Sequence, residues 1–163
     1  MCIRDRTITT HGYGLTNSKY SHSNARNYLL LNKLTKEKTW IWEHNDFLLS
    51  RKVRVYTHTK YRKVSDEVLG FAFEQIEKDT NKDKKITSED NINLTYLALS
   101  SQKLFVIDSD IDSIEEIKQT SDESIHFFYR KKGKLLFKVY NKDLTEVLSQ
   151  DEIAPIGEHK GKV

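Results

Sequence analysis

The chain reads as all-β, built of antiparallel, blade-like sheets (a partial β-propeller), with a β-sandwich as the alternative arrangement. Three observations predict this. Short runs such as Val68–Ile76 and Lys134–Tyr140 are rich in strand formers and alternate near period two, the repeat of a pleated strand. Turn-forming Gly, Asn, Asp and Ser separate these runs at short intervals. No long stretch carries the spacing of an amphipathic helix.

The first six residues, MCIRDR, look like the in-frame translation of a sequencing-library adaptor. Met1–Arg6 is therefore expected to be a scar, outside any fold reasoning. Cys2, the only cysteine, goes with it, so no thiol chemistry is expected. Residues 7–26 are polar and predict a loop or the ragged end of a lost strand. Within them His11-Gly12-Tyr13-Gly14 is a loop turn, because the G-x-S-x-G elbow that partners an esterase oxyanion loop is missing.

A single β domain is expected over 27–155. Asn27–Asn32 and Thr39–Trp42 predict a hairpin, with Trp40 and Trp42 together on one buried face. Glu43–Asp46 is a turn whose lone His44 has no spaced metal partner. Phe47–Leu49 and Lys52–Thr59 continue the strands. In the second, Val53, Val55 and Thr57 alternate with Lys52, Arg54, Tyr56 and His58, one face in and one wet. Val68–Ile76 follows, then Asn93–Leu99 and Lys103–Ile107 around a Ser100-Ser101-Gln102 turn. Asp108, Asp110 and Asp112 read as a turn. Ile114–Lys118, Ser124–Arg130 and Lys134–Tyr140 are three more strands. Lys131-Lys132-Gly133 is a hairpin tip in which glycine supplies positive φ. Asn141–Leu148 is a turn and a short strand. Beyond Pro155 the tail, 156–163, is expected to be disordered.

Length and composition bound the function. With 163 residues there is room for one sizeable core. No apolar run approaches the roughly 20 residues of a membrane-spanning helix. The net charge of +3 and pI near 8.8 are too mildly basic to imply nucleic acid by themselves.

The one chemically specific stretch is Asp79–Asp90, DTNKDKKITSED. Asp79, Asn81 and Asp83 alternate, so their oxygens can converge as the chain curls, as a hard cation requires. Lys85 would offer its backbone carbonyl, Thr87 its hydroxyl or a bridging water, and Asp90 would close the shell. Ile86 would anchor the loop on an apolar surface. A strand, not a helix, leads into it.

This stretch resembles the EF-hand loop and, more closely, the dockerin-type loop, which also ends in Asp. The resemblance implies a Ca²⁺ held by Asp79, Asn81, Asp83, Lys85 (carbonyl), Thr87 and Asp90. The sequence departs from that pattern at the sixth position, where Lys84 stands for glycine, and in closing on Asp, not Glu. Lys78, Lys82, Lys84 and Lys85 crowd the anions. A weak site is expected, with a dissociation constant on the order of 10⁻⁴–10⁻³ M. The plain alternative is a polar hairpin loop in which Thr87–Asp90 begins a helical turn.

An internal repeat is visible at Leu31-Asn32-Lys33, Leu99-Ser100-Ser101 and Tyr140-Asn141-Lys142, each ending a strand and opening a turn. The second interval, 41 residues, fits one propeller blade of about 40–45. The first, 68 residues, fits a blade plus an insertion that contains the cation-type loop. Over Asn27–Trp42 and Asp79–Tyr140 the chain is similar to a group of bacterial envelope proteins with propeller-like repeats and an inserted D-x-N-x-D-G-x-x-T-x-x-D loop. The similarity implies export (periplasmic, outer-membrane-anchored or secreted) and a binding or structural role.

The function expected is thus a non-enzymatic, exported β-rich domain with one weak structural Ca²⁺. Its partner would be another envelope protein or further blades of its own full-length chain. Two alternatives stand beside it. One is a propeller-type hydrolase fragment, although no motif unites a nucleophile, a base and an orienting group. The other is a nucleic-acid-binding module on the basic strand 51–63, through Lys52, Arg54, Lys60, Arg62 and Lys63.

Overall fold

A computed structural model describes residues 6–10 (backbone only), 25–32, 35–57 and 67–153. Among them there is no helix. Three antiparallel meanders follow one another in chain order. The first sheet holds β1 (Arg6–Thr10), β2 (Tyr28–Asn32) and β3 (Lys38–Trp40). The second holds β4 (Leu48–Tyr56), β5 (Val68–Ile76), β6 (Ile92–Ala98) and β7 (Lys103–Ile111). The third holds β8 (Ser113–Gln119), β9 (Ile125–Lys131), β10 (Lys134–Tyr140) and β11 (Val147–Glu152). Within each sheet every strand pairs with its neighbour in sequence, the blade-like order the patterning predicts.

The sheets stack face to face, and the second lies in the middle. Because successive side chains of a strand point to opposite faces, β5 feeds two cores at once. Phe71 and Phe73 join Tyr28, Leu30, Trp42 and Leu49 against the first sheet. Ala72 and Ile76 join Leu94, Tyr96, Ile125, Phe127 and Tyr129 against the third. Burial on both faces turns a half-wet alternation into a near-continuous apolar run, which is what VLGFAF is. Phe73, fully buried, is worth about 1.5–3 kcal/mol by area alone. It also meets the Tyr28 ring at 5.4 Å and the Trp42 ring at 5.0 Å.

Gly70 is where the second core closes. The Tyr96 ring folds over it, and a Cβ there would land on the Leu97 carbonyl oxygen and the Tyr96 phenol.

Two polar struts tie the second sheet to the third. Glu74, buried on β5, accepts from Ser50 Oγ at 3.0 Å and Ile114 N at 3.4 Å. Arg51 Nη1 donates to the Ile114 carbonyl at 2.8 Å. Near the end of β7, Asp108 accepts from Tyr129 OH at 2.6 Å and Lys131 Nζ at 2.7 Å. Burial pushes the Asp108 carboxyl up, but the bonds from Lys131, Tyr129 and the Ser109 N–H more than offset this, so it sits below its ordinary range.

The internal repeat is visible in the turns. Asn32 N donates to Glu37 O at 2.9 Å, and Asn141 N donates to Glu146 O at 3.1 Å. In each turn the asparagine Oδ1 caps a following backbone N–H, of Thr35 and of Thr145. Lys36, Gln102 and Leu144, one in each turn before a sheet's final strand, all have positive φ. The hairpin tip predicted over Lys131–Gly133 closes as a two-residue turn, Lys132-Gly133, with φ of 53° and 74°.

Four expectations are corrected. Trp40 and Trp42 do not share a buried face: β3 ends at Trp40, which is 48% exposed, and the chain bends so that only Trp42 enters the core. Asp108–Asp112 is not a simple turn, because β7 runs on to Ile111 through irregular pairing with β6, and Asp108 is a strut. Arg6, assigned to the adaptor, is not outside the fold: it begins the strand Arg6–Thr10 that pairs with β2, so that of the loop or ragged strand end expected from residue 7 on, residues 7–10 take the strand form. Lys52 is not on a wet face, as shown below. The His11–Gly14 segment and the tail after Pro155 lie outside the described residues.

Two outcomes follow from this packing. Gly70→Ala should destabilise by about 1–3 kcal/mol or more, the range for overpacking, read as a lower urea midpoint at unchanged slope. Asp108→Asn should cost about 1–3 kcal/mol at neutral pH through partly orphaned Lys131 and Tyr129 groups. The lowered Asp108 carboxyl contributes stability above the unfolded value near 3.9, and that contribution is lost as pH falls through the folded value. Acid unfolding of Asp108→Asn should therefore be shallower than that of the native chain.

Candidate metal centre

β5 ends at Ile76 and β6 resumes at Ile92, both buried. Residues 77–91 leave the sheet between them, so a strand does enter the loop. Two reversals curl it, at Lys82 (φ 65°) and Lys84 (φ 69°). Lys84 occupies the sixth position, where a cation loop needs the left-handed conformation. A residue with a Cβ adopts it at a cost of about 1–2 kcal/mol.

Side chains inside the bend offset that cost. Asp79 Oδ1 accepts from Asp83 N at 3.2 Å and its Oδ2 from Lys84 N at 2.7 Å. Asn81 Oδ1 accepts from Asp83 N at 2.9 Å, and Asp83 Oδ1 from Lys85 N at 2.8 Å. Asp79, Asn81 and Asp83 are thereby gathered on one curl, Asp79 half-buried and the other two exposed. Ile86 packs on the core between the second and third sheets, in the anchoring role expected of it.

Asp90 is placed differently from its neighbours. It is 4% exposed and braces the base of the loop. Its Oδ1 accepts from Thr80 N at 2.6 Å, Thr80 Oγ1 at 3.0 Å and Asn81 N at 3.1 Å. Its Oδ2 accepts from Thr87 N at 2.9 Å. The Thr87 bond, opposed by desolvation and reinforced by the Asn81 and Thr80 N–H groups, holds the Asp90 carboxyl below the usual range. Thr87 Oγ1 meanwhile accepts from Glu89 N at 3.3 Å. The capping turn and the oxygen-rich bend therefore coexist.

An ionised carboxylate offers about four acceptor positions. After their backbone bonds, Asp79, Asn81 and Asp83 keep free lone pairs. Asp90 Oδ1 is saturated by three donors, and only its Oδ2 has capacity left. Among the described residues no three His, Cys, Asp or Glu side chains converge as a metal cluster. All available donors are oxygen, so the set suits a hard cation, held mainly by Asp79, Asn81 and Asp83 with main-chain oxygen and water. Lys85 is exposed and Thr87 half-buried.

The basic strand is arranged otherwise. Lys52 is half-buried, with Nζ 4.6 Å from the Tyr28 ring centre and 5.9 Å from that of Phe71. Burial, then the nearby Arg54 charge, lowers its pKa. It is a packing cation between the first two sheets. Arg54 is exposed, while Lys60, Arg62 and Lys63 lie outside the described residues.

One cluster escaped sequence reading. Between β8 and β9, Ser124 Oγ lies 2.7 Å from Asp122 Oδ1 and 2.9 Å from His126 Nε2. The Thr120 hydroxyl also donates to Asp122. The Thr120 hydroxyl, then that of Ser124, holds the Asp122 carboxyl well below its usual range. A hydroxyl has one proton. Ser124 Oγ therefore cannot donate to the Asp122 carboxylate and to His126 Nε2 at once, and the direction of the Ser124–His126 bond follows the imidazole tautomer. The signal is the alternation Thr120, Asp122, Ser124, His126, hidden because Thr120 and Asp122 fall between two predicted strands and Ser124 and His126 inside the second. Beside the cluster, a polar cleft of about 400 Å³ opens at the end of the sheets away from the cation-type loop.

The Asp90 brace makes its own prediction. Asp90→Ala strands the Thr80, Asn81 and Thr87 N–H groups, so amide exchange across 79–91 should accelerate with Ca²⁺ present or absent, while β9 and β10 amides stay protected. Comparison with protein-family models, curated proteins and solved structures finds no match to the chain.

Proposed function

We propose that the chain is a non-enzymatic, exported β-rich domain of binding or structural type, part of a propeller-like stack, whose β5–β6 loop takes up one Ca²⁺ weakly. The observation that carries this reading is the left-handed conformation of Lys84. The loop follows the backbone path of a cation loop at the position where its side chain is least suited to it. The bonds of Asp79, Asn81 and Asp83 to amides of the bend hold these three oxygen-bearing side chains on one curl. A divalent ion taken up there would tie the ends of β5 and β6 to one charge. Binding to the folded state alone would add stability of RT ln(1 + [L]/Kd), about 0.5–1.5 kcal/mol for a millimolar ion at a weak site.

Calorimetric titration tests the reading. Ca²⁺ should bind with a dissociation constant on the order of 10⁻⁴–10⁻³ M, and Asp83→Ala should abolish the heat. Lys84→Gly should bind more tightly, because glycine removes the left-handed strain and one opposing charge. A native chain that takes up no Ca²⁺ at millimolar concentration, or an Asp83→Ala variant that binds equally well, ends the proposal.

A further inference from the structure

Two divalent ions compete for oxygen-lined loops, and they ask for different shells. Ca²⁺ gathers roughly 6–8 oxygens, and in a twelve-residue loop the last position supplies two of them from one carboxylate. Mg²⁺ is smaller, keeps several waters and is held by one or two carboxylates. The two carry the same charge. Ligand number and the freedom of the loop to reshape therefore choose between them.

Asp90 stands at that last position, and its carboxylate is committed elsewhere. Its Oδ1 accepts from Thr80 N, Thr80 Oγ1 and Asn81 N, and its Oδ2 from Thr87 N. The Thr80 hydroxyl in turn accepts from Asn91 N at 2.9 Å, so the same knot fastens the residue that leads into β6. An ion gripping both Asp90 oxygens would have to displace the three donors on Oδ1. That would break charge-assisted bonds and release the base of the loop that presents the other ligands.

Two carboxylates, Asp79 and Asp83, and the Asn81 amide oxygen are left, with main-chain oxygen and water. Asn81 and Asp83 are exposed and Asp79 is half-buried, so water has access to the bend. A short list of protein oxygens completed by water is the shell that Mg²⁺ accepts and that gives Ca²⁺ no advantage.

We infer that the β5–β6 loop does not separate Ca²⁺ from Mg²⁺ and takes either ion with similar, weak affinity. The residue whose two-oxygen grip would select Ca²⁺ serves the main chain instead. The inference rests on the cation reading of the loop. The ion held then follows whichever of the two is in excess.

Equilibrium dialysis of the intact chain with radiolabelled Ca²⁺ against rising Mg²⁺, at constant ionic strength, tests this. With Ca²⁺ near its dissociation constant, a roughly tenfold excess of Mg²⁺ should displace most of the label by mass action. Ca²⁺ uptake untouched by that excess overturns the inference and leaves the cation reading standing. A chain that binds neither ion ends both. Asp90→Glu tests the cause. Its longer arm reaches past the amides that Asp90 engages and can turn both oxygens to the ion, so the same excess of Mg²⁺ should leave most of the Ca²⁺ bound. An Asp90→Glu variant with native far-ultraviolet circular dichroism that yields its Ca²⁺ as readily as the native chain overturns the role given to Asp90. Should the variant unfold, the native competition still decides.

Discussion

The fold depends on β5 being buried on both faces. A strand in that position cannot slip by one residue, because a slip would exchange the Phe71/Phe73 column for the Ala72/Ile76 column and mismatch both cores together. The partner strands inherit that fixed register. Gly70 marks its limit: where Tyr96 crosses the strand there is room for a hydrogen and nothing larger. The two carboxylates at the interface of the second and third sheets, Glu74 and Asp108, are accordingly paired with donors from the third sheet, since an unpaired charge there would cost several kcal/mol.

Most strands were legible from alternation, and the hairpin tip at Gly133 from its glycine. What failed did so for identifiable reasons. Trp40 and Trp42 looked equivalent because period two assumes a continuing strand, and the bend at residues 41–43 breaks it. Three alternating aspartates looked like a turn because local composition cannot reveal Tyr129 and Lys131, some twenty residues later in sequence, waiting to pair with Asp108. Lys52 looked solvated for the same reason, since Tyr28 lies far upstream. Long-range partners are invisible to a window of neighbours. The repeat, by contrast, was faint in residues and clear in bonds, because two asparagine turns enforce one geometry with different side chains.

The candidate cation loop was legible in its spacing but not in the division of labour within it. Spacing treats Asp79 and Asp90 as equal members of a shell. The structure gives them different neighbours: Asp79 faces the bend, while Asp90 is sunk at its base among backbone amides. A short aspartate suits the second task, because its carboxylate stays near the main chain where the longer arm of a glutamate would project.

That brace also bears on the connection between β5 and β6. β5 and β6 are joined by fifteen residues, 77–91, against four for β6 to β7 and two for β9 to β10. Longer connections bring their ends together against a larger loss of chain entropy, and non-local pairings of this kind slow folding. In the folded chain the Asp90 carboxylate, bonded to Thr80 and Asn81, spans that connection and holds its two ends together. β5 and β6 are thereby clasped beyond their last paired residues, Gln75 and Asn93.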